Sequence, residues 1–380
     1  MKIAYIHDDK RIHTGAHHIN ELIINKLKEF DVYVKNVYPK TRLIDSKNHN
    51  LKGVSNILFF YSLLEQQKEI LKYDLIQGTT FTPITFLPFD IPVITHFGST
   101  TMGILLSTPK TNHLKSKFQN IFNQLKKDKV LKSLNLKSRK SLWDISDIQF
   151  FVASKSRKVI AASKKVKEEL VEYGHVARNN ILVIHNAIED YWFEKPLAPL
   201  DKVRLVFLGR IGNSAFTFKI KGLDRLIYIY KKFADINKVS IALTPNLKIE
   251  NWLNKNIPNH KSRFNLSRDK IHKIIHSYRG NISLLTSRYE GFSLSLIETM
   301  SQGLIPIAFP VGIAPEIIED GKNGYLVNTT QEAVIRINEI LNDNELRERL
   351  SIEAYKTSLQ FKADILARKL VALYKTVLKK

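Results

Sequence analysis

The strongest constraint on the fold is a strand–helix alternation that runs through the first half of the chain and then begins again. Residues 2–6 form a short apolar run. Residues 15–28 place Ile19, Leu22, Ile23 and Leu27 on one helical face, and residues 31–37 form the next strand-like run. Apolar runs at 74–77, 92–95 and 158–162 continue the series. A second series starts at 203–208 and passes through a helix at 223–233, a strand at 239–243, a helix at 269–276 and a strand at 282–285. Such βαβ order requires parallel sheets covered on both faces. At 380 residues the chain exceeds what one ordinary core organises, so the pattern predicts an α/β protein of two Rossmann-like domains. The expected boundaries are 1–195 and 200–358, with a closing helix at 359–380 returning to the N-terminal domain. Residues 191–201, with Pro196 and Pro199, read as the linker.

From about Ser107 to Phe150 the alternation is interrupted. Phe118, Ile121, Phe122 and Leu125 form one apolar stripe beside Lys115, Lys126 and Lys129, an amphipathic insertion assigned here to the N-terminal domain. The stripe fits either packing on its own domain or lying on a membrane. Between Lys110 and Lys158 thirteen Lys or Arg stand against three Asp, a local +10 within a chain of formal net charge +23. That excess suits an anionic membrane leaflet, an anionic lipid-linked or polymeric acceptor, or a solvated face. Nucleic acid is not expected, because no RNP, zinc-finger or helix-turn-helix signature accompanies the charge.

Cysteine is absent, which excludes disulfides, thiol nucleophiles and Cys-rich zinc sites. Ile3 to Ile6 is too short for a signal-peptide core, and no later run approaches the roughly 18 apolar residues of a membrane span. The expectation is a cytoplasmic protein, peripheral to the membrane at most.

The densest chemistry lies at 287–303, SRYEGFSLSLIETMSQG. A strand ends near Thr286, a loop with Gly291 follows, and a helix begins near Leu294. This geometry aims the backbone N–H groups near Ser293, Leu294 and Ser295 at an anion such as a pyrophosphate. Glu290 stands at the mouth of the loop, and Glu298 lies about one turn inside the helix. Both are placed to accept hydrogen bonds from sugar hydroxyls. In a second cluster Arg210 follows the first strand of the second series, and Lys221-Gly222 comes eleven residues later. Arg210 supplies a planar fork for phosphate and Lys221 a point charge, enough to neutralise a diphosphate without a metal. No Asp-x-Asp occurs, and the twelve His form no H-E-x-x-H, so neither metal nor cofactor is expected. Both clusters fall at the C-terminal edge of one predicted parallel sheet, where open α/β folds bind ligands.

These residues resemble the family four retaining glycosyltransferases of GT-B architecture. The resemblance is carried by Glu290 and Glu298 in EGFSLSLIE, by Met300, Gly303 and Pro306, and by VGIAPEIIEDGKNGYLV at 311–327. It extends over 157–375, including LGRIG with Lys221-Gly222, and more loosely over the first 110 residues through Thr14-Gly15-Ala16-His17 and Thr95-His96. It implies two domains whose sheets face across a cleft that closes over the linker. It further implies that Arg210, Lys221 and the N–H groups at Phe292 to Ser295 bind the donor diphosphate, with Glu298 on the ribose and Glu290 on the transferred sugar. Gly15, Ala16, His17 and His96 would face the acceptor, His96 near the reacting centre. The implied partners are a nucleotide-sugar donor, UDP-linked by preference, and a glycan, lipid-linked or cell-envelope acceptor. The leaving phosphate would take the acceptor proton, consistent with the lack of an obvious protein base.

Three departures stand out. Gly15-Ala16 replaces the two glycines frequent in the family, Ile313 follows Gly312 where glycine is common, and Thr299 replaces the usual alanine after the second Glu. None removes a charged donor contact. Two other classes stay open at this point: a non-catalytic GT-B subunit that binds acceptor for a partner enzyme, and a basic nucleic-acid binder.

Overall fold

The computed structural model describes residues 1–8, 15–39, 59–131, 136–194, 202–212 and 214–379. Thr14 and both linker prolines fall outside the described residues, as does the side chain of Ala16. The chain divides into two compact units. The first comprises Met1–Leu105, Asn135–Ile188 and Phe361–Lys380, and the second Leu106–Leu134 and Glu189–Gln360.

Among the described residues each unit is built on a six-stranded parallel sheet. The first has β1 (Lys2–Ile6), β2 (Tyr33–Val37), β3 (Leu75–Thr79), β4 (Val93–Phe97), β5 (Lys158–Ala161) and β6 (Ile181–Val183), in the order β2-β1-β3-β4-β5-β6. The second has β7 (Arg204–Leu208), β8 (Asn237–Ile241), β9 (His260–Arg263), β10 (Ile282–Leu285), β11 (Ile305–Ala308) and β12 (Tyr325–Leu326), in the order β12-β11-β10-β7-β8-β9. Every pairing is parallel, for example Ile76 with Val93 and Ile282 with Leu205. Strands covered on both faces are mostly apolar and wholly buried. Accordingly every residue of β4, β10 and β11 is buried.

In the second sheet the strand order reverses between β7 and β10. That reversal separates the connections leaving the two strands and opens a crevice at their C-terminal ends. The functional clusters of the sequence sit on those two connections.

The amphipathic insertion does not stay together in the expected domain. Residues 106–134 group with the second unit, and 135–150 with the first. The stripe of the helix Ser116–Lys127 is the reason: Phe118, Ile121, Phe122 and Leu125 are all buried, in one cluster with Leu205, Phe218 and Leu226. Phe122 meets Phe218 edge-to-face at 5.3 Å. Polar bonds tie the same segment down, Trp252 Nε1 donating to Asp128 Oδ2 at 2.7 Å and Lys219 Nζ to the Pro109 carbonyl at 3.0 Å. Burial removes this stripe from any membrane surface. No helix among the described residues is long and apolar enough to cross a membrane.

The segment read as a linker also begins as packed structure. Asp190–Phe193 is a 3₁₀ turn of the second unit, with Trp192 wholly buried. In the first unit the closing helix, Ala363–Leu378, buries Leu366, Leu370 and Tyr374, and the Tyr374 hydroxyl donates to Gln77 Oε1 on β3 at 2.5 Å.

Candidate active site

The connection after β7 runs through Gly209 and Arg210 into the short helix Ala215–Ile220, then through Lys221 and Gly222 into the helix Leu223–Lys232. Gly222 is left-handed at φ +59°, and a Cβ there would meet the Thr286 carbonyl oxygen at 1.9 Å, so only glycine fits. This close approach presses Lys221 against the connection after β10. The Lys221 carbonyl accepts from Thr286 Oγ1 at 3.1 Å, and Lys221 Nζ pairs with Glu290 Oε1 at 2.7 Å. Ser287 Oγ donates to the same carboxylate oxygen at 2.6 Å.

A buried ion pair sets this corner from beneath. Asp224 is fully buried and takes both terminal nitrogens of Arg288, at 2.7 and 2.6 Å, while Arg288 also donates to the Lys219 carbonyl at 2.9 Å. Arg225 donates to the carbonyls of Thr286 and Ser287 at 3.3 and 3.2 Å and stacks 4.0 Å from the Phe309 ring centroid. Burial, with Arg288 nearby, pushes its pKa down to about 10.

The turn 290–293 is clamped from the other side by the connection after β11. Gly312, at φ +57°, leaves no room for a Cβ, which would lie 2.4 Å from the Phe292 carbonyl oxygen and 2.9 Å from Glu290 Cβ. Ile313 N donates to that carbonyl at 2.9 Å. Ile313 itself has φ −83° and is fully buried, which explains why a side chain is accepted where the resembled family often has glycine. Thr299 is accommodated similarly, its hydroxyl 3.0 Å from the Ser295 carbonyl within the helix Leu294–Met300. Ser293, the residue before that helix, holds φ +89° without being glycine, a strained backbone state that concentrates at functional sites.

Glu298 is 4% exposed and forms an ion pair with Arg268 at 2.7 Å. Arg268 also grips Glu189 through Nε and a terminal nitrogen at 2.8 and 2.6 Å. Burial raises the Glu298 pKa despite the opposing pull of Arg268. For Arg268 burial acts to lower the pKa, but Glu298 and Glu189 outweigh it and hold the guanidinium above its ordinary value. Tyr191, half-buried beside Glu189, is pushed up to about 12, chiefly by burial.

Lys221 and Glu290 are therefore brought into direct contact, with Gly291, Phe292, Ser293, Leu294 and Ser295 following on one clamped turn. Glu298 lies on the same helix but faces Arg268. Arg210 is exposed at the exit of β7 and lines an open recess with Ser214, Thr217, Thr244, Asn246 and Lys248. Among the described residues it makes no hydrogen bond or ion pair, with Glu290 or any other residue. In the first unit Gly15 is exposed at the start of its helix, and His17 Nε2 lies 3.1 Å from Asp8 Oδ1. His96, on β4, is 2% exposed, and both its ring nitrogens lack a hydrogen-bond partner among the described residues. Burial lowers its pKa to about 4, with the Asn186 side chain acting in the opposite direction.

Sequence reasoning missed Asp224, Arg288, Arg268 and Glu189. Each was visible as a charged residue, but its partner was not. Asp224 and Arg288 are 64 positions apart, and Arg268 and Glu189 are 79 apart.

Comparison with known proteins converges on one family. Residues 189–357 match the family model described as glycosyl transferases group 1. An uncharacterized glycosyltransferase of Methanocaldococcus jannaschii is 29% identical over 226 residues, 56% of this chain and 57% of that protein, so the match spans little more than half of the relative. A probable sucrose-phosphate synthase of Thermosipho melanesiensis is 38% identical over 94 residues, 24% of this chain and 21% of that protein. Among solved structures, a sucrose-phosphate synthase from Thermosynechococcus elongatus superposes with a TM-score of 0.75 at 14% identity, covering 100% of this chain and 99% of that one. Anabaena HepE in complex with UDP-glucose gives 0.68 at 15% identity, covering 99% and 100%. Through residues 189–357 the chain matches the model of the glycosyl transferases group 1 family, and it carries the two-unit α/β fold of GT-B glycosyltransferases.

Proposed function

We propose that the chain transfers a sugar, with retention of anomeric configuration, from a nucleoside diphosphate sugar to a hydroxyl of a glycan or lipid-linked acceptor. The observation that carries this reading is the Lys221–Glu290 pair, held by Gly222 and Gly312 at the strand-order reversal of the group 1 domain. Without ligand the two charges neutralise each other. A donor would separate them, taking the ammonium on its diphosphate and the carboxylate on its sugar hydroxyls, so that binding energy is spent on aligning the reacting bond. Arg210, exposed and unpaired at the exit of β7, supplies a second cation for the leaving group. Glu298, fixed by Arg268, would present its carboxylate to the ribose. Gly15, Ala16, His17 and His96 are assigned to the acceptor side, and the leaving phosphate is assigned the acceptor proton, so no added metal is required.

A UDP-linked donor is favoured because UDP-glucose is the ligand named for the Anabaena HepE structure. The Lys/Arg-rich stretch 110–158 favours an acceptor with anionic groups, as in cell-envelope glycans. The test is thermal unfolding of the whole chain with UDP-glucose, other UDP-sugars and GDP-mannose. Saturating donor at a hundredfold over Kd stabilises the folded state by about 2.7 kcal/mol. A panel with no shift at millimolar concentrations overturns the reading. For a donor that does shift, NMR of the product anomeric centre tests retention.

A further inference from the structure

We propose that Glu194, His272 and His276 form a binding site for one divalent transition-metal cation of the zinc class, separate from the sugar-transfer chemistry. The two histidines are four residues apart on the helix Arg268–His276 and so share a face. Glu194 comes from the end of the turn Asp190–Phe193, and one ligand atom from each of the three lies within 4.8 Å of the others. Two imidazoles and a carboxylate are a donor set that zinc takes, with water completing the coordination.

Three observations point to a ligand here rather than to chance proximity. His272 is 4% exposed, and its Nε2 has no hydrogen-bond partner among the described residues. A buried ring nitrogen left unpaired is uncommon and calls for a partner. Its ring is fixed between Tyr191 and Trp192, each at 5.1 Å and nearly perpendicular, so the nitrogen cannot swing to another site without repacking both.

The second observation is the orientation of His276. The buried Gln302 donates its amide Nε2 to the Trp192 carbonyl, which commits Oε1 to the role of acceptor. Oε1 lies 2.7 Å from His276 Nδ1, so Nδ1 must carry the proton and Nε2 must carry the lone pair. Fixing a ligand's tautomer through its other nitrogen is how outer-shell groups prepare metal-binding histidines.

The third observation is charge. Glu194 is exposed and has no ion pair among the described residues, whereas Arg268, Asp269 and Lys273 on the helix of the two histidines are already engaged. Arg268 holds Glu189 and Glu298, and Lys273 holds Asp269 at 3.0 Å. Bonds of about 2.0 to 2.1 Å in tetrahedral geometry need ligand atoms about 3.3 Å apart. The exposed Glu194 side chain is free to close the remaining distance.

Arg268, His272 and His276 fall at successive intervals of four along one helical face, so the cation would tie Glu194 to the same face on which Arg268 already grips Glu189. Metal would thus fasten both ends of the segment 189–194 and steady the arginine that holds Glu298.

The test is titration of the chelator-treated full chain with Co²⁺ and Zn²⁺. We expect one equivalent per chain and quenching of Trp192 fluorescence by Co²⁺, with most of the quench lost in Trp192→Phe. Glu194→Gln, at an exposed residue, and His276→Ala, at a half-buried one, should each weaken binding at least tenfold, while His113→Ala leaves it unchanged. These two variants keep the test valid should the buried His272→Ala fail to fold. Absence of saturable one-equivalent binding, or equal affinity in wild type, Glu194→Gln and His276→Ala, overturns the proposal.

Discussion

Around their candidate residues the two units treat buried polar groups in opposite ways. In the second unit the residues around the candidate site are charged and paired: Lys221 with Glu290, Arg288 with Asp224, and Arg268 with both Glu298 and Glu189. In the first unit the corresponding candidate is a single imidazole, His96, buried with neither nitrogen satisfied among the described residues. A charge cannot be buried alone, so a site that handles a diphosphate must store its cations against internal carboxylates until the ligand arrives. A neutral imidazole carries a smaller desolvation cost and can be kept dry. On the proposed reading, the second unit is thereby prepared for an anion, and the first for a hydroxyl.

The largest effect that would break this contrast lies under the second site. Arg288→Ala leaves Asp224 ionised, unpaired and fully buried, and should cost about 3 to 5 kcal/mol of stability in urea unfolding. A loss below 1 kcal/mol would show that water reaches Asp224 and that the pair does not hold the corner. Next comes Arg210→Ala. Because Arg210 is exposed and unpaired, unfolding should be unchanged within about 0.5 kcal/mol. Transfer should nevertheless slow by roughly 10² to 10³, as for a lost oxyanion donor. Activity like that of wild type would remove Arg210 from the site.

The first unit supplies a pH test. Burial holds the folded His96 at a pKa of about 4 against an ordinary 6.5, so the unfolded chain takes up the proton first as the solution is acidified. Stability is therefore present above pH 6.5, falls between 6.5 and 4, and levels off below. The difference corresponds to about 3 kcal/mol from this one group. His96→Gln should flatten the wild-type slope over that window. His260, also lowered to about 4 by burial, contributes equally to both proteins and cancels. Identical slopes would mean that His96 is hydrated or protonated in the folded state.

Much of this was legible in the sequence, and the failures share a cause. Periodicity located β1, β7 and β10 and the helix that closes the chain, because strands buried on both faces and a one-sided helix leave clear patterns. It also put Lys221 and Glu290 at the C-terminal edge of one parallel sheet, where open α/β folds bind ligands. Periodicity says that a face is buried, not what buries it. The stripe Phe118, Ile121, Phe122 and Leu125 was correctly read as apolar yet assigned to the wrong unit. The edge strand β9, His260–Arg263, went unseen because only His260 on it is buried and its residues are polar. Arg268 was invisible as the partner of Glu298 because the periodicity of RDKIHKIIH shows a helix and its apolar face but not what its charged first residue meets.

The smallest predicted effect tests whether the clamped turn is strained. Ser293 holds φ +89° and ψ +78°, a region that costs a residue with a Cβ and costs glycine almost nothing. Gly312 and Ile313 fix the turn from outside, so Ser293 cannot relax without losing the bond from Ile313 N to the Phe292 carbonyl. Ser293→Gly should relieve the strain while freeing the unfolded chain, and the net change is a gain or loss within about 1 kcal/mol. Ser293→Ala keeps the strain and loses only the hydroxyl, which lies 3.5 Å from Ser295 Oγ. If the turn is strained, the glycine variant is the more stable of the two by thermal unfolding. If alanine is the more stable, the backbone at 293 is unstrained, which would leave the turn held by its clamps alone.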